Sequence, residues 1–382
     1  MMMIRQCLAI MRREFFYMWR DKGLRCILLA GPLLGLLLFY ATYSARVLKD
    51  IPTAIADLDR SGASLELARD IRNTENLKVV ACPDSFDELN ELIKNGKAVV
   101  GIVIPENYGK DVSLHRQTRV EVIVDGSNMI YATNAASAAL SVTRTLGART
   151  GINTLVARGI QPLQAKEAYQ SVDFREEAWF NPALNYACFI VLALALNIWQ
   201  QCCTLAACMT IVGETGAGSW YQIKSLGLSK FKLFFSKSAA QVITFMVISL
   251  PVFFLAFVIF KIPLRCGFPV FFLFNLAFVI ALHSVGTLAS GIARNAVNST
   301  RFGMLVALPS FILSGYTWPL EAMPHYLQVI VKILPQTWYF QGINFLTFKN
   351  PDWAFMTRFF LAFFAIAAAC YGAAAVIVSR RL

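Results

Sequence analysis

Charge is what this 382-residue sequence has least of: Asp, Glu, Lys and Arg make up only 15% of it, against roughly 25% in a soluble domain. With 57% hydrophobic residues, that scarcity argues against a soluble globular enzyme. The phosphate-cradling pattern G-x-x-x-x-G-K-[ST] does not occur, since Gly96-Lys97 and Gly109-Lys110 lack the following hydroxyl. The chain therefore carries no nucleotide pocket of its own. There is no H-E-x-x-H, no G-x-S-x-G and no C-x-x-C, and the three histidines are scattered, so neither a catalytic nor a metal-ligating cluster is expected. No carboxylate stands well inside an apolar run; Glu214 and Glu321 sit at the ends of such runs. The nine cysteines form no disulfide framework.

What is abundant is apolar sequence in long runs, which points to a polytopic α-helical membrane protein. A bilayer core about 30 Å thick needs about 20 apolar residues per helix. Six spans are expected, at Cys26–Tyr43, Pro182–Val212, Phe234–Phe260, Phe268–Ile292, Phe302–Trp318 and Phe355–Val378. The first has too long a charged preface and apolar run for a cleaved signal peptide, so it should remain as an anchor. Between the first two spans lies residues 46–178, the size of one ordinary soluble domain.

Basic residues set the orientation. Arg5, Arg12, Arg13, Arg20, Lys22 and Arg25 precede the first span, and Lys224, Lys230, Lys232 and Lys237 follow the second. Arg294 and Arg301 separate the fourth and fifth spans, and Arg380 and Arg381 lie beyond the sixth. By the positive-inside rule both termini are cytoplasmic and residues 46–178 are extracytoplasmic. The formal charge of +12 thus reports topology and anionic lipid, not nucleic acid. Cys82 and Cys266 are then the outer cysteines, and whether they pair stays open.

Residues 1–25 read as an amphipathic connector helix. Ile4, Leu8, Met11, Phe15 and Met18 recur at spacings of three and four, with arginines on the other faces, a pattern suited to the cytoplasmic interface. Residues 26–45 form the first transmembrane helix. In residues 46–178, IPTAIADLD, LKVVAC, AVVGIVIP and TRVEVIVDG read as strands. SLELARDIRN, SFDELNELIKNG and a long Ala/Ser/Thr-rich run from Ser127 read as helices. Strands alternating with helices predict a small α/β domain with a largely parallel sheet. Residues 179–382 hold the other five spans, with a cytoplasmic segment at 213–232. At 319–350, Pro319, Pro324 and Pro335 break a greasy stretch that also contains Trp318 and Met323. Irregular backbone facing lipid costs several kcal/mol per unsatisfied group. Two short helices dipping into the outer leaflet and returning, an outer re-entrant gate, are the expectation.

Small and polar stripes mark two spans. Asn197, Gln200, Gln201 and Thr204 share one face of the second, and Gly303, Ala307, Ser310 and Ser314 one face of the fifth. Such stripes allow close helix approach and interhelical hydrogen bonds, and they also suit a translocation path or a dimer seam. His283, the one titratable group deep in a span, fits an interhelical hydrogen bond better than a proton relay.

Several segments together resemble the permease subunits of ABC-2 type exporters, in the branch with a large extracytoplasmic domain (type V exporters). They are IADLDRSGAS at 55–64, IVDGSN at 123–128, WFNPALN at 179–185, GETGAGSW at 213–220 with Lys237 downstream, LSGYTWPLEAMP from Leu313, and LPQTWY. In GETGAGSW, Ala217 and Gly218 depart from the family's usual order. The resemblance covers essentially the whole chain. It implies a homodimer or heterodimer in a bacterial inner membrane, each half docking a cytoplasmic ATPase that binds ATP and Mg while this chain binds no cofactor. It also implies that Arg12, Arg13, Glu214, Lys224 and Lys230 are ATPase-coupling residues, with Glu214 bridging Arg12 or Arg13.

The leading expectation is an exporter permease for an amphiphilic drug, lipid or lipid-linked molecule, with a periplasmic adaptor as a further partner. The alternatives are a membrane-anchored extracytoplasmic receptor or assembly factor, and an ion-coupled secondary transporter. Six spans exceed what an anchor needs, and the spans lack the acids or repeats of ion coupling.

Overall fold

A computed structural model describes residues 2–43, 49–114, 116–169, 177, 179–182, 185–216, 218–219 and 230–381, leaving aside the side chains of 2–4, 230, 231 and 379–381. The chain divides into two compact units, Val47–Glu177 and the remainder. Chain order begins with α1 (Met2–Arg20) and α2 (Lys22–Thr42). Asp21 separates them: its carboxylate accepts from the Leu24 N–H at 3.0 Å, capping α2. The end of the connector, expected at residue 25, thus falls at Arg20, because Asp21 supplies the cap that starts the next helix.

The unit Val47–Glu177 runs β1 (Ile51–Asp57), α3 (Gly62–Arg72), β2 (Leu77–Ala81), α4 (Phe86–Lys94), β3 (Val100–Ile104), α5 (Tyr108–Ser113), β4 (Glu121–Val124), α6 (Met129–Ala157) and α7 (Pro162–Tyr169). The sheet order is β2-β1-β3-β4, parallel from β2 through β3, with β4 antiparallel. Every residue of β3 is buried, as befits a strand covered on both faces. Leu67, Ile71, Ala135, Ala138 and Ala139 of α3 and α6 cover one face, and Leu89 of α4 the other. Serines start the helices: Ser61 accepts from Ser64 N and Ser85 from Glu88 N, each at 3.2 Å. The motif IADLDRSGAS folds as a locked turn, in which Asp57 accepts from Arg60 N and the Ser64 hydroxyl, and Asp59 from Gly109 N at 2.8 Å.

The second unit continues with α8 (Tyr186–Ala207), α9 (Val212–Gly216), α10 (Lys230–Phe254), α11 (Phe268–Ile292), α12 (Ala296–Ser310), α13 (His325–Val331), α14 (Pro335–Phe348) and α15 (Trp353–Arg381). Among the described residues five helices are long and apolar enough to cross a membrane: Lys22–Thr42, Tyr186–Ala207, Lys232–Ile259, Phe268–Ile292 and Trp353–Val378. Their core is aromatic. Trp199, Phe245, Phe271, Phe274, Phe278, Tyr339, Phe340, Phe359 and Phe363 are all fully buried, and the Phe278 and Tyr339 rings stack at 3.7 Å. Close approach depends on missing side chains: a Cβ on Gly286 would fall 2.4 Å from the Ala207 Cβ.

The span expected at Phe302–Trp318 is not one helix. α12 has 15 residues, about 22 Å of rise, which falls short of a ~30 Å hydrocarbon core. Pro309 removes a donor near its end, a tight turn at Ile312–Ser314 follows, and Gly315 turns left-handed at φ 82°. A Cβ at Gly315 would also fall 2.7 Å from Leu320.

Candidate functional site

Four charged side chains from α1, the short α9 and α10 meet at one end of the membrane unit. α1 lies along α10 and buries Ile10, Glu14 and Met18, each under 5% exposed. Leu8 and Phe15 remain 56% and 37% exposed. The inward face therefore shares Met18, but not Leu8 or Phe15, with the apolar stripe expected from residues 4, 8, 11, 15 and 18, because a carboxylate with partners takes the central position. Glu14 accepts from Lys237 Nζ at 2.8 Å and from Gln241 Nε2 at 2.9 Å, two α10 side chains one turn apart. Lys237 also reaches Glu214 Oε1 at 2.5 Å. Arg13 clamps Glu214 with both guanidinium nitrogens, at 2.7 and 2.9 Å, and the Ser219 hydroxyl donates to the other carboxylate oxygen.

The segment that presents Glu214 is held from behind. The Ser290 hydroxyl of α11 accepts from Ile211 N and Val212 N, both at 3.0 Å, where α9 begins. Ser299 donates to the Cys208 carbonyl at 2.7 Å, and Gly218 closes the turn at φ 62°.

Glu14, Glu214 and Lys237 are nearly inaccessible, and the Arg13 side chain is about one third exposed. Two cations and two anions balance, which is the condition for burying them. Burial alone would raise the Glu214 pKa, but the Arg13 clamp, Lys237 and Ser219 outweigh it and hold the carboxylate down at about 2.

The polar path continues from Gln241. Its Oε1 accepts from Thr210 at 3.1 Å and meets His283 Nε2 at 3.0 Å, while His283 Nδ1 lies 2.8 Å from the Tyr371 hydroxyl. Because Gln241 Nε2 already donates to Glu14, its oxygen faces His283. That makes Nε2 the donor of His283 and leaves Nδ1 to accept from Tyr371.

Of the residues expected at this site, Arg13 and Glu214 meet directly. Arg12 is exposed and makes no ion pair among the described residues. Lys224 lies outside the described residues, and Lys230 begins α10 with its side chain undescribed. Glu14 and Gln241 were not anticipated. A usable signal existed, since Lys237 and Gln241 stand one turn apart in a long, mostly apolar helix and need a buried partner.

The two small and polar stripes face each other within the chain. Gln200 donates to Asn197 at 3.1 Å and to the Ala307 carbonyl at 3.2 Å, and Gln201 donates to Asn197 at 3.2 Å. A Cβ on Gly303 would fall 2.3 Å from Cys208 Sγ and 3.4 Å from Thr204. Ser310 and Ser314 return their hydroxyls to carbonyls of their own turns. Gln336 of α14 joins by donating to Gln200 Oε1 at 3.2 Å. Trp199 Nε1, Gln336 Oε1 and Thr337 Oγ1 are buried with no hydrogen-bond partner among the described residues.

At the other end of the bundle the prolines begin helical turns. Pro319 precedes the turn Leu320–Ala322, Pro324 precedes α13, and Pro335 is the first residue of α14. At those positions a missing N–H costs nothing. Trp318 is 55% exposed, whereas Met323 and Pro335 are buried.

The family model of the ABC-2 family transporter protein matches residues 22–377. Among curated relatives, the inner membrane transport permease YhhJ of Escherichia coli K12 is 25% identical over 87% of this chain and 86% of its own length. The probable multidrug ABC transporter permease YbhR of the same organism is 21% identical over 86% and 85%, and YbhS is 22% identical over 90% and 88%. The match reaches from the first residue of α2 into the last turns of α15, and on that ground the chain belongs to the ABC-2 transporter family, as a permease.

Proposed function

We propose that this permease moves an amphiphilic molecule (a drug, lipid or lipid-linked compound) outward across a bacterial cytoplasmic membrane, driven by a separate ATPase subunit that holds ATP and Mg. The observation that carries the reading is the buried cluster Arg13–Glu214–Lys237–Glu14, which joins α1, α9 and α10. A helix lying across the end of a bundle and tied to it only by exposed contacts would slip under load. Separating these four charges instead leaves each without compensation, at several kcal/mol per ion. Force applied to α1 or to residues 213–219 is therefore handed on to α10 and α11.

The basic residues before α2, after α8 and between α11 and α12 support, by the positive-inside rule, a cytoplasmic position for this end, where an ATPase would dock, and an outer position for residues 47–177. The relatives named as multidrug permeases support the substrate class. A second copy or a paralogue completes the path, with Gln200, Gln336 and the proline-started helices toward its outer end, and a periplasmic adaptor is a further candidate partner.

The test is transport per ATP in vesicles holding the permease with its ATPase. Glu214→Ala should leave ATPase binding and hydrolysis in place while transport per ATP falls about tenfold, within the usual range of inter-site coupling. Undiminished transport in that variant, or uphill transport with no ATPase present, would overturn the reading.

A further inference from the structure

The unit Val47–Glu177 contains an open groove of about 740 Å³, between α6, the loop 116–120 before β4, and Tyr169 at the end of α7. Its shape depends on two glycines of α6. A Cβ on Gly151 would fall 2.1 Å from the Tyr169 ring, so only glycine lets that ring lie against the helix. One turn earlier Gly147 faces open space, with the Tyr169 hydroxyl its nearest neighbour at 3.9 Å. The volume falls within the roughly 300–1,000 Å³ of small-molecule sites.

Two chemistries line it. Leu67, Val112, Val120, Leu146 and Leu155 make an apolar wall, and Arg116 and Arg158 are the charged side chains that line the groove among the described residues. Neither arginine makes an ion pair among the described residues, whereas Arg149 of α6 pairs with Glu66 at 3.1 Å. This pairing is unusual in its surroundings, because residues 47–177 hold more acids than bases, 18 against 15. A groove with two unpaired guanidinium groups and no carboxylate attracts an anion, and guanidinium suits phosphate, sulfate or carboxylate oxygens. An inorganic anion alone would leave the leucine and valine wall wet.

We propose that the groove is a binding site for an anionic amphiphile, whose hydrocarbon part covers the apolar wall and whose acidic group meets Arg116 and Arg158. The site lies wholly within the α/β unit, and its occupancy does not depend on the ATPase or on the direction of transport.

The test uses the full chain in lipid nanodiscs with no ATPase, titrated with octyl phosphate and referenced to empty nanodiscs. Saturable binding is expected, with octanol and inorganic phosphate each weaker by about tenfold or more, since each offers only half of the complementarity. Arg116→Gln with Arg158→Gln should weaken octyl phosphate by at least about tenfold and flatten its salt dependence. Gly147→Leu, which fills open space, should weaken it without lowering the unfolding temperature. Arg149→Gln, a charge change outside the groove, should leave the affinity as it was. The proposal is overturned by undiminished binding in the double arginine variant, by inorganic phosphate binding as tightly as octyl phosphate, or by no signal above empty nanodiscs.

Discussion

The two ends of the membrane unit are held together by opposite chemistry. Where α1 meets α9 and α10, the contact centres on four charges and an amide, with Glu14, Glu214, Lys237 and Gln241 all buried. Where α11, α14 and α15 meet, it is stacked rings: Phe274, Phe278 and Tyr339, flanked by Phe359 and Phe363. Within that ring stack the Tyr339 hydroxyl donates to Asn275 at 2.6 Å. Ring packing prefers stacked and edge-to-face geometries but loses only a little when rings slide slightly past one another. A charge cluster is all-or-none, because each ion is affordable in the interior only while its partners stay within about 3 Å. One end therefore fixes the register between helices, and the other provides cohesion.

The contrast breaks most sharply at Lys237. Lys237→Met should cost about 3–5 kcal/mol, because it leaves the buried Glu14 with no cation and Glu214 with Arg13 as its one cation. Chemical unfolding in detergent checks this. Replacing Glu14 by Met as well should recover much of the loss, since a packed apolar pair escapes the desolvation penalty. A single-variant cost below about 1 kcal/mol would mean that the cluster is wetter than its burial implies.

Acid provides a smaller, reversible break. Glu214 is held at about 2 in the fold against an ordinary 4.5, so it binds its proton more readily once released. Its contribution is complete above pH 4.5 and is lost as pH falls from there toward 2. Hydrogen exchange of α1 amides should be flat between about pH 5 and 8 after correction for intrinsic rates, and should quicken below that window. An α1 that loosens near neutral pH would assign its attachment to some other group.

The smallest effect belongs to the aromatic end. Tyr339→Phe keeps the stack and removes only the bond to Asn275, for about 1–3 kcal/mol, most of it the desolvated amide oxygen left behind. If this variant proved as damaging as Lys237→Met, the division of labour between the two ends would fail.

How far these features can be read from residues alone depends on their range. The long apolar runs locate five helices because hydrophobic length is a local property, and Val100–Ile104 reads as a buried strand for the same reason. The segment at 302–318 misleads: its composition suits a span, but Pro309 and Gly315 end the helix early. At the site, spacing left Arg12 and Arg13 equivalent as partners for Glu214. Neighbouring helix positions differ by about 100° in direction, and only the way α1 lies on α10 selects Arg13. Glu14 escaped because a periodicity count scores a carboxylate as polar and turns it toward solvent. Its two partners are more than 220 positions away.

Asp21 is the one residue between α1 and α2. From that elbow α2 runs against α8, where Gly31 and Gly35 let the backbones come close to Cys202 and Ile198. α8 leads through residues 208–211 into α9, and Glu214 of α9 grips Arg13 of α1. Four helices thus form a closed mechanical circuit with two short covalent corners and one packed side, fastened by one ionic latch. A tilt of α1 has nowhere to go except into the angle between α2 and α8, so the latch converts a hinge into a lever.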